Sequence, residues 1–400
     1  MHLGDLVHPT PVRDFLQTTL GVEPALFHGD QDRFGTLFSW DILSDVISRV
    51  SPDSSQIRLN QDARNIAESE WISTHISTDG RVFRTLRTPQ LLELLHKGAT
   101  LVVDAVDRTH RPLGSLARTL ERDLRTPVQI NAYSAWGESP GFGMHWDGHD
   151  VLILQIAGQK EWTLFGGPRR PWPMEQDIEE NPAPSSEAEQ TVMVLAPGDV
   201  LHVPRGWWHS ARAMDGPTLH LTVGIPRPTG VDLLQWLAGR MSAHPVLRMD
   251  LPRYHPPDVQ ERHRQDIVRT VSSLLEDPAL LETFLTEQDA CAPARRYQSL
   301  GVIRTGGTTL GGAETVSWLA PRAVLREEDD RVVVEADGRR FTFASAASAM
   351  VKLLMEQMDC TVSEVLAVGT GGTTPLGEDD VRAFLTDVVE AGLVAVSGLG

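Results

Sequence analysis

The sequence predicts a mainly β core, a barrel or sandwich within residues 127–225, with flanking helices, a helical region after it and a small C-terminal α+β unit. Three observations predict this. Residues 127–225 break into short β-type runs punctuated by Gly and Pro. The chain becomes helical in period after Pro226-Arg227-Pro228. Beyond a Gly-rich stretch, Arg304–Gly312, short strands and helices alternate to the end.

In order along the chain, residues 1 to about 125 mix short helical and strand signals. Residues 89–97 (PQLLELLHK) are amphipathic at helical spacing, and an apolar strand-like run, 99–106, follows. Residues 113–125 are a second helix candidate. The β runs are VQINAY (128–133), VLILQI (151–156), EWTLF (161–165), TVMVL (191–195), DVLHVP (199–204) and TLHLTVGI (218–225). Between them, 168–188 is rich in Pro, Glu and Ser and reads as a surface insertion. Helices are expected over 231–241 and 259–288. The last unit has strands at 322–327, 331–337 and 339–345, helices at 346–358 and 378–391, and a closing strand at 393–396; helix–turn–helix then strand is a winged-helix-like pattern. With 400 residues exceeding one ordinary core, the expected domains are 1–226 (core about 120–226), 227–300 and 301–400.

Composition narrows the function. The chain carries 36 basic and 54 acidic residues, a net charge of -18. Such a surface repels a phosphate backbone, making nucleic acid an unfavourable partner and a basic protein or peptide a favourable one. No apolar run reaches membrane-spanning length, and the first residues lack a secretory pattern. Two cysteines, Cys291 and Cys360, make neither a disulfide framework nor a Cys-based zinc site, which fits a reduced cytoplasm.

The chemistry concentrates in GFGMHWDGHD (141–150). His145 and Asp147 stand at i and i+2, which on extended chain puts both side chains on one face about 6–7 Å apart. A third ligand comes from APGDVLHVPRGWWHSA (196–211), where a turn at Pro204-Arg205-Gly206 delivers His209 at the start of a returning strand. Two imidazoles and one carboxylate on one face of an octahedron leave three positions open, the arrangement of non-haem Fe(II) oxygenases. Two positions suit a 2-oxo acid and the third O2. His149, His202 and His220 are rivals. His149 lies past the turn, His202 is at an odd offset from His209 and takes a supporting role, and His220 lies on a strand beside the site.

Residues 131–162 (NAYSAWGESPGFGMHWDGHDVLILQIAGQKEW), followed by GDVLHVPRGWWHSA and LHLTVGI, resemble the JmjC oxygenases of the ribosomal-oxygenase group. The resemblance covers residues 120–226 and extends loosely to the C-terminus. It implies a double-stranded β-helix (cupin) core, a helical dimerisation region making a homodimer, and a winged-helix-like domain. It also implies Fe(II), 2-oxoglutarate as cosubstrate, and hydroxylation of a side chain in a ribosomal protein or a precursor peptide. Residue by residue, it places the metal on His145, Asp147 and His209. Lys160 would hold the distal carboxylate of 2-oxoglutarate, with Asn131, Tyr133 and Thr222 lining the cosubstrate pocket and Gln155 also on the barrel interior. Trp146 stands where the group often has Tyr, and the Trp207-Trp208 pair is bulky; both bear on the substrate more than on the chemistry.

Two other classes compete. One is a metallocupin needing no oxo acid, which Lys160 discriminates. The other is a non-enzymatic regulator using the C-terminal unit; its recognition-helix candidate, 378–391, is strongly acidic, the wrong sign for DNA. Demethylation of a methylated lysine ranks below hydroxylation.

Overall fold

A computed structural model describes residues 1–49, 56–137, 141–177, 181–185, 189–297, 299–304, 307–308, 310–372 and 375–398. Parts of the expected insertion at 168–188 and of the stretch 304–312 therefore lie outside the described residues. The chain divides into two compact units, Met1–Pro226 and Arg227–Gly400.

The first unit is built on one antiparallel sheet. Its strand order is Ala25–Phe27, Val200–Val203, Asp150–Leu164, His209–Ile225, Gln129–Ala135, Thr100–Val103, Ile57–Gln61 and Arg64–Asn65, with Thr191–Leu195 pairing to Asp150–Leu164. Alternation along the strands separates two faces. Leu152, Leu154, Leu219, Leu221, Val223 and Ile225 join the core formed with the helix Arg111–Leu124, which contributes Leu113, Leu116 and Leu120 at helical spacing. Val151, Ile153, Leu201 and Val203 face the other way and pack with Trp162 and Leu164. This is the mainly β core that the punctuated runs predict.

Two of those runs are joined. Residues 151–156 and 161–165 read as separate strands because Ala157-Gly158 interrupts the apolar pattern; they form one 15-residue strand, Asp150–Leu164. Its partner His209–Ile225 is likewise continuous over 17 residues. The interruption is a bulge. The register slips between Met214 and His220, and Gly158 adopts φ +66. A Cβ on Gly158 would lie 2.2 Å from the Pro217 carbonyl oxygen, so only glycine fits. Gln155, fully buried, directs its Nε2 to the Ala157 and Gly158 carbonyls and to Thr218 Oγ1 at 2.8–3.0 Å, pinning the bulge.

The second unit begins with the helices Gly230–Met241, Pro257–Leu275 and Leu280–Ala290. The expected 259–288 helix divides at Asp277-Pro278, because proline offers no N–H and disfavours helix before it. Trp236 packs edge-on against Phe284, with ring centroids 5.5 Å apart, and donates its indole N–H to Glu287 at 2.9 Å. Thr315–Trp318 lies between Asp359–Thr361 and Val394–Ser397, and Val324–Glu328, Arg331–Ala336 and Arg339–Ala344 form a meander. Three helices, Ser348–Gln357, Val362–Gly371 and Glu378–Glu390, accompany them. The middle helix was not expected from the sequence. Thr361 and Glu364 start it as a reciprocal capping box.

Candidate metal centre

His145 and His209 form an isolated antiparallel bridge. The His145 N–H donates to the His209 carbonyl at 2.9 Å and the His209 N–H to that of His145 at 2.8 Å. The Gly206 N–H donates to the Asp147 carbonyl at 2.9 Å, tying the turn before His209 to the HxD segment. Gly206 needs its φ of +81 there, and a Cβ would come within 2.3 Å of the Pro173 ring. Main-chain bonds thus bring three side chains to one point. The ligand atoms of His145, Asp147 and His209 lie within 4.8 Å of one another, and His209 Nε2 is 3.6 Å from Asp147 Oδ2.

The three side chains suit a divalent ion. His145 Nδ1 donates to the Gly143 carbonyl at 3.1 Å and His209 Nδ1 to the Trp207 carbonyl at 2.9 Å. A carbonyl only accepts, so each Nδ1 carries the proton and each Nε2 keeps a lone pair for the ion. Burial, helped by the neighbouring His145 and opposed by Asp147, pushes the His209 imidazole down to about 4. It is neutral at pH 7 and ready to ligate. Among the described residues no fourth His, Cys, Asp or Glu joins the cluster. A closed structural zinc site would need one.

The cluster forms one corner of a cavity of about 250 Å³. Lys160, Tyr133, Thr222 and His220 form another part of its wall, and Val151, Ile153, Trp162, Ala211 and Ala213 make it apolar between. The bulge explains how both flanks of these strands face one space. Val151 and Ile153 are odd-numbered, whereas Lys160 and Trp162 are even; on the partner, His209, Ala211 and Ala213 are odd, whereas His220 and Thr222 are even. Regular pleating would turn outward either the flank that carries Lys160, Trp162 and His209 or the flank that carries Val151, Ile153, His220 and Thr222.

Lys160 is 6% exposed, and its Nζ lies 3.4 Å from His220 Nδ1 and 5.8 Å from the Trp162 ring. Among the described residues no carboxylate pairs with it, and burial drives its ammonium down to about 7. Tyr133 stacks on His220 with ring centroids 5.0 Å apart. Burial and the nearby Asp147 hold its phenol up to about 12. Asn131 is absent from the cavity wall. Its Oδ1 accepts from the Ala105 N–H at 2.8 Å and from Gln129 Nε2 at 3.0 Å, and its side chain also bonds Tyr133. Gln155 serves the bulge rather than the wall.

The rivals separate cleanly. His202 is fully buried, directs Nε2 to Asp150 Oδ1 at 3.2 Å and Nδ1 to the Glu23 carbonyl at 3.0 Å, and does not line the cavity. His149 lies against the backbone at Gly224. His220 lines the cavity. Of the tryptophans near the site, Trp162 is on the wall, while Trp136 packs with Trp40. Sequence reasoning missed Arg58 and Thr100, which reach the wall from strands about 50–90 residues before the HxD segment, with no spacing to tie them to it.

Residues 110–233 match the family model described as JmjC domain. The chain is 28% identical over 251 residues to YxbC of Bacillus subtilis, covering 58% of this chain and 73% of that one. It is 26% identical over 263 residues to the bifunctional lysine-specific demethylase and histidyl-hydroxylase NO66 of Aedes aegypti, covering 62% of this chain and 39% of the relative. The solved structure of the ribosomal oxygenase YcfD from Escherichia coli, in complex with cobalt and 2-oxoglutarate, superposes with a TM-score of 0.57 at 19% identity, covering 98% of this chain and 99% of that one. That likeness establishes the fold.

Proposed function

Because residues 110–233 match the JmjC domain model, we propose that this chain is an Fe(II)- and 2-oxoglutarate-dependent oxygenase that hydroxylates a side chain of a protein or peptide. The observation that carries the reading is a single cavity with a three-ligand corner and a buried, carboxylate-free lysine. Fe(II), when bound, supplies O2 activation coupled to oxidative decarboxylation of the oxo acid: 2-oxoglutarate, O2 and a C–H bond give succinate, CO2 and C–OH. His145, Asp147 and His209 would hold the ion as its three protein ligands. Lys160 takes the distal carboxylate of 2-oxoglutarate, with the Thr222 hydroxyl beside it, since a buried cation is stabilised by a paired anion. Tyr133 and its support Asn131 fix the end of that pocket, and the apolar walls exclude water. That YcfD is a ribosomal oxygenase supports a ribosomal protein as the target, and that NO66 is both a histidyl-hydroxylase and a lysine-specific demethylase supports hydroxylation while keeping demethylation as the second outcome.

Several finer points belong to the same reading. A basic substrate is favoured by the net charge of -18, and nucleic acid is not. No described helix is long and apolar enough to cross a membrane. Two cysteines, neither in a disulfide, suit the reduced cytoplasm. The second unit exposes Leu234, Leu251, Tyr254, Leu281 and Leu285, which supports a homodimer formed through its helices.

The deciding experiment supplies Fe(II), 2-oxoglutarate and O2 to the purified chain and follows succinate, then searches cellular proteins with and without the gene for a lost +16 Da mass. A chain that binds no metal and forms no succinate is not this enzyme. A metallocupin indifferent to oxo acid would keep its activity in Lys160→Ala, whereas the oxygenase would lose 2-oxoglutarate binding.

A further inference from the structure

The cavity wall continues past the ion corner and the cosubstrate pocket to Arg58 and Thr100, with Phe142 alongside. Tyr133, which stacks on His220 and bonds Arg58, stands where the two parts meet. Arg58 belongs to the strand Ile57–Gln61 and pairs in register with Val102. Its Nε and Nη2 donate to Asp104 at 2.6 and 2.8 Å, a bidentate grip that fixes the guanidinium plane. The Tyr133 hydroxyl is a further partner of the same guanidinium. Asp104 itself is not on the cavity wall.

This wall is therefore rich in donors. It offers the Arg58 N–H groups not taken by Asp104, together with the hydroxyls of Tyr133 and Thr100. The only carboxylate lining the cavity among the described residues is Asp147, and the ion corner uses it. We propose that Arg58, Thr100 and Tyr133 select the residue to be hydroxylated, admitting a side chain that offers a hydrogen-bond acceptor and carries no positive charge: a neutral imidazole, a carboxamide or a carboxylate. Lys and Arg are rejected, because they bring only donors to a wall of donors whose one neighbouring carboxylate, Asp104, is already held by Arg58. The inference rests on the oxygenase reading and names its substrate class. It also separates two roles of charge: the acidic surface attracts basic flanking residues, while the cavity wall excludes a basic residue at the reacting position.

The test uses five fluorescein-labelled nonapeptides with identical basic flanks and a central His, Asn, Asp, Lys or Arg. Fluorescence anisotropy at pH 7.5 measures their binding to the full chain with and without Co(II) and 2-oxoglutarate. The His, Asn and Asp peptides are expected to bind at least about tenfold more tightly than the Lys and Arg peptides. In Arg58→Gln, and in Arg58→Gln/Asp104→Asn, which also removes the charge left behind, that ratio should fall below about threefold. Equal binding, a preference for Lys or Arg, or an unchanged ratio in a folded variant overturns the proposal. Binding of Co(II) and 2-oxoglutarate to the chain without peptide is followed separately by visible absorption and calorimetry. Its absence sinks the oxygenase reading, whereas a cationic preference alongside it sinks only the role of this wall.

Discussion

Lys160 Nζ lies 3.4 Å from His220 Nδ1, a cation facing an imidazole where a carboxylate would be its natural partner. The ammonium is held at about 7 by burial alone. A bound dicarboxylate would restore its proton affinity, so binding 2-oxoglutarate above pH 7 must recruit a proton. Affinity is therefore full below about 7 and declines as pH rises through it. Calorimetry at pH 8 in buffers of different ionisation enthalpy should register proton uptake as a binding heat that varies with the buffer; heats independent of the buffer would refute the pairing. Lys160→Ala should weaken 2-oxoglutarate binding by about 10- to 150-fold, the equivalent of one charged hydrogen bond.

Removing one ligand should remove the ion without removing the fold. His209→Ala and Asp147→Ala are each expected to abolish the visible absorption of bound Co(II), with the far-ultraviolet dichroism unchanged, because main-chain bonds rather than the ion join the two segments. Retention of Co(II) at wild-type affinity in either variant would place the ion elsewhere.

The bulge makes an independent prediction. Gly158→Ala introduces a Cβ against the Pro217 carbonyl at positive φ, costing about 1–3 kcal/mol and lowering Tm by several degrees. Relief of that clash re-phases Lys160 against Thr222 and His220 on the other flank, so 2-oxoglutarate affinity should fall, while Co(II) affinity holds because His209 keeps its main-chain bridge to His145. Calorimetry and Co(II) titration together check this, and a parallel loss of both would show that the two corners are not separately placed.

The buried pair of Asp150 and His202 sits behind the site and touches neither ion nor cavity. His202→Leu removes one hydrogen-bond partner of the buried Asp150 carboxylate, at a cost of about 1–3 kcal/mol in urea unfolding. Adding Asp150→Leu to it should recover part of that loss. A double variant no more stable than His202→Leu would mean that the pair is not coupled.

Dimerisation through the second unit is checked by sedimentation. Leu234→Glu with Leu281→Glu, both on exposed apolar positions, should convert a dimer to a monomer with little change in the fold. A wild-type chain that sediments as a monomer would end this expectation.

The legibility of the sequence follows from how local each feature is. His145 and Asp147 are two residues apart, and His209 follows a Pro-Gly turn, so the ion corner is written in short-range pattern. The apolar runs likewise revealed the mainly β core. The bulge was hidden, because Ala157-Gly158 looks like a break between strands when its effect is to exchange the two faces of one. Arg58 and Thr100 were hidden for another reason: only sheet pairing brings residues 57–61 and 100–103 to the wall. The helix Val362–Gly371 was legible in principle from Thr361 and Glu364, but its Gly-rich end masks the period.

The mutual main-chain bonds of His145 and His209, with that from Gly206 to Asp147, have an evolutionary consequence. Backbone contacts survive almost any exchange of neighbouring side chains. Residues such as Arg58, Thr100 and Phe142 can drift without disturbing the reactive centre, so one scaffold can acquire new targets by repainting its walls.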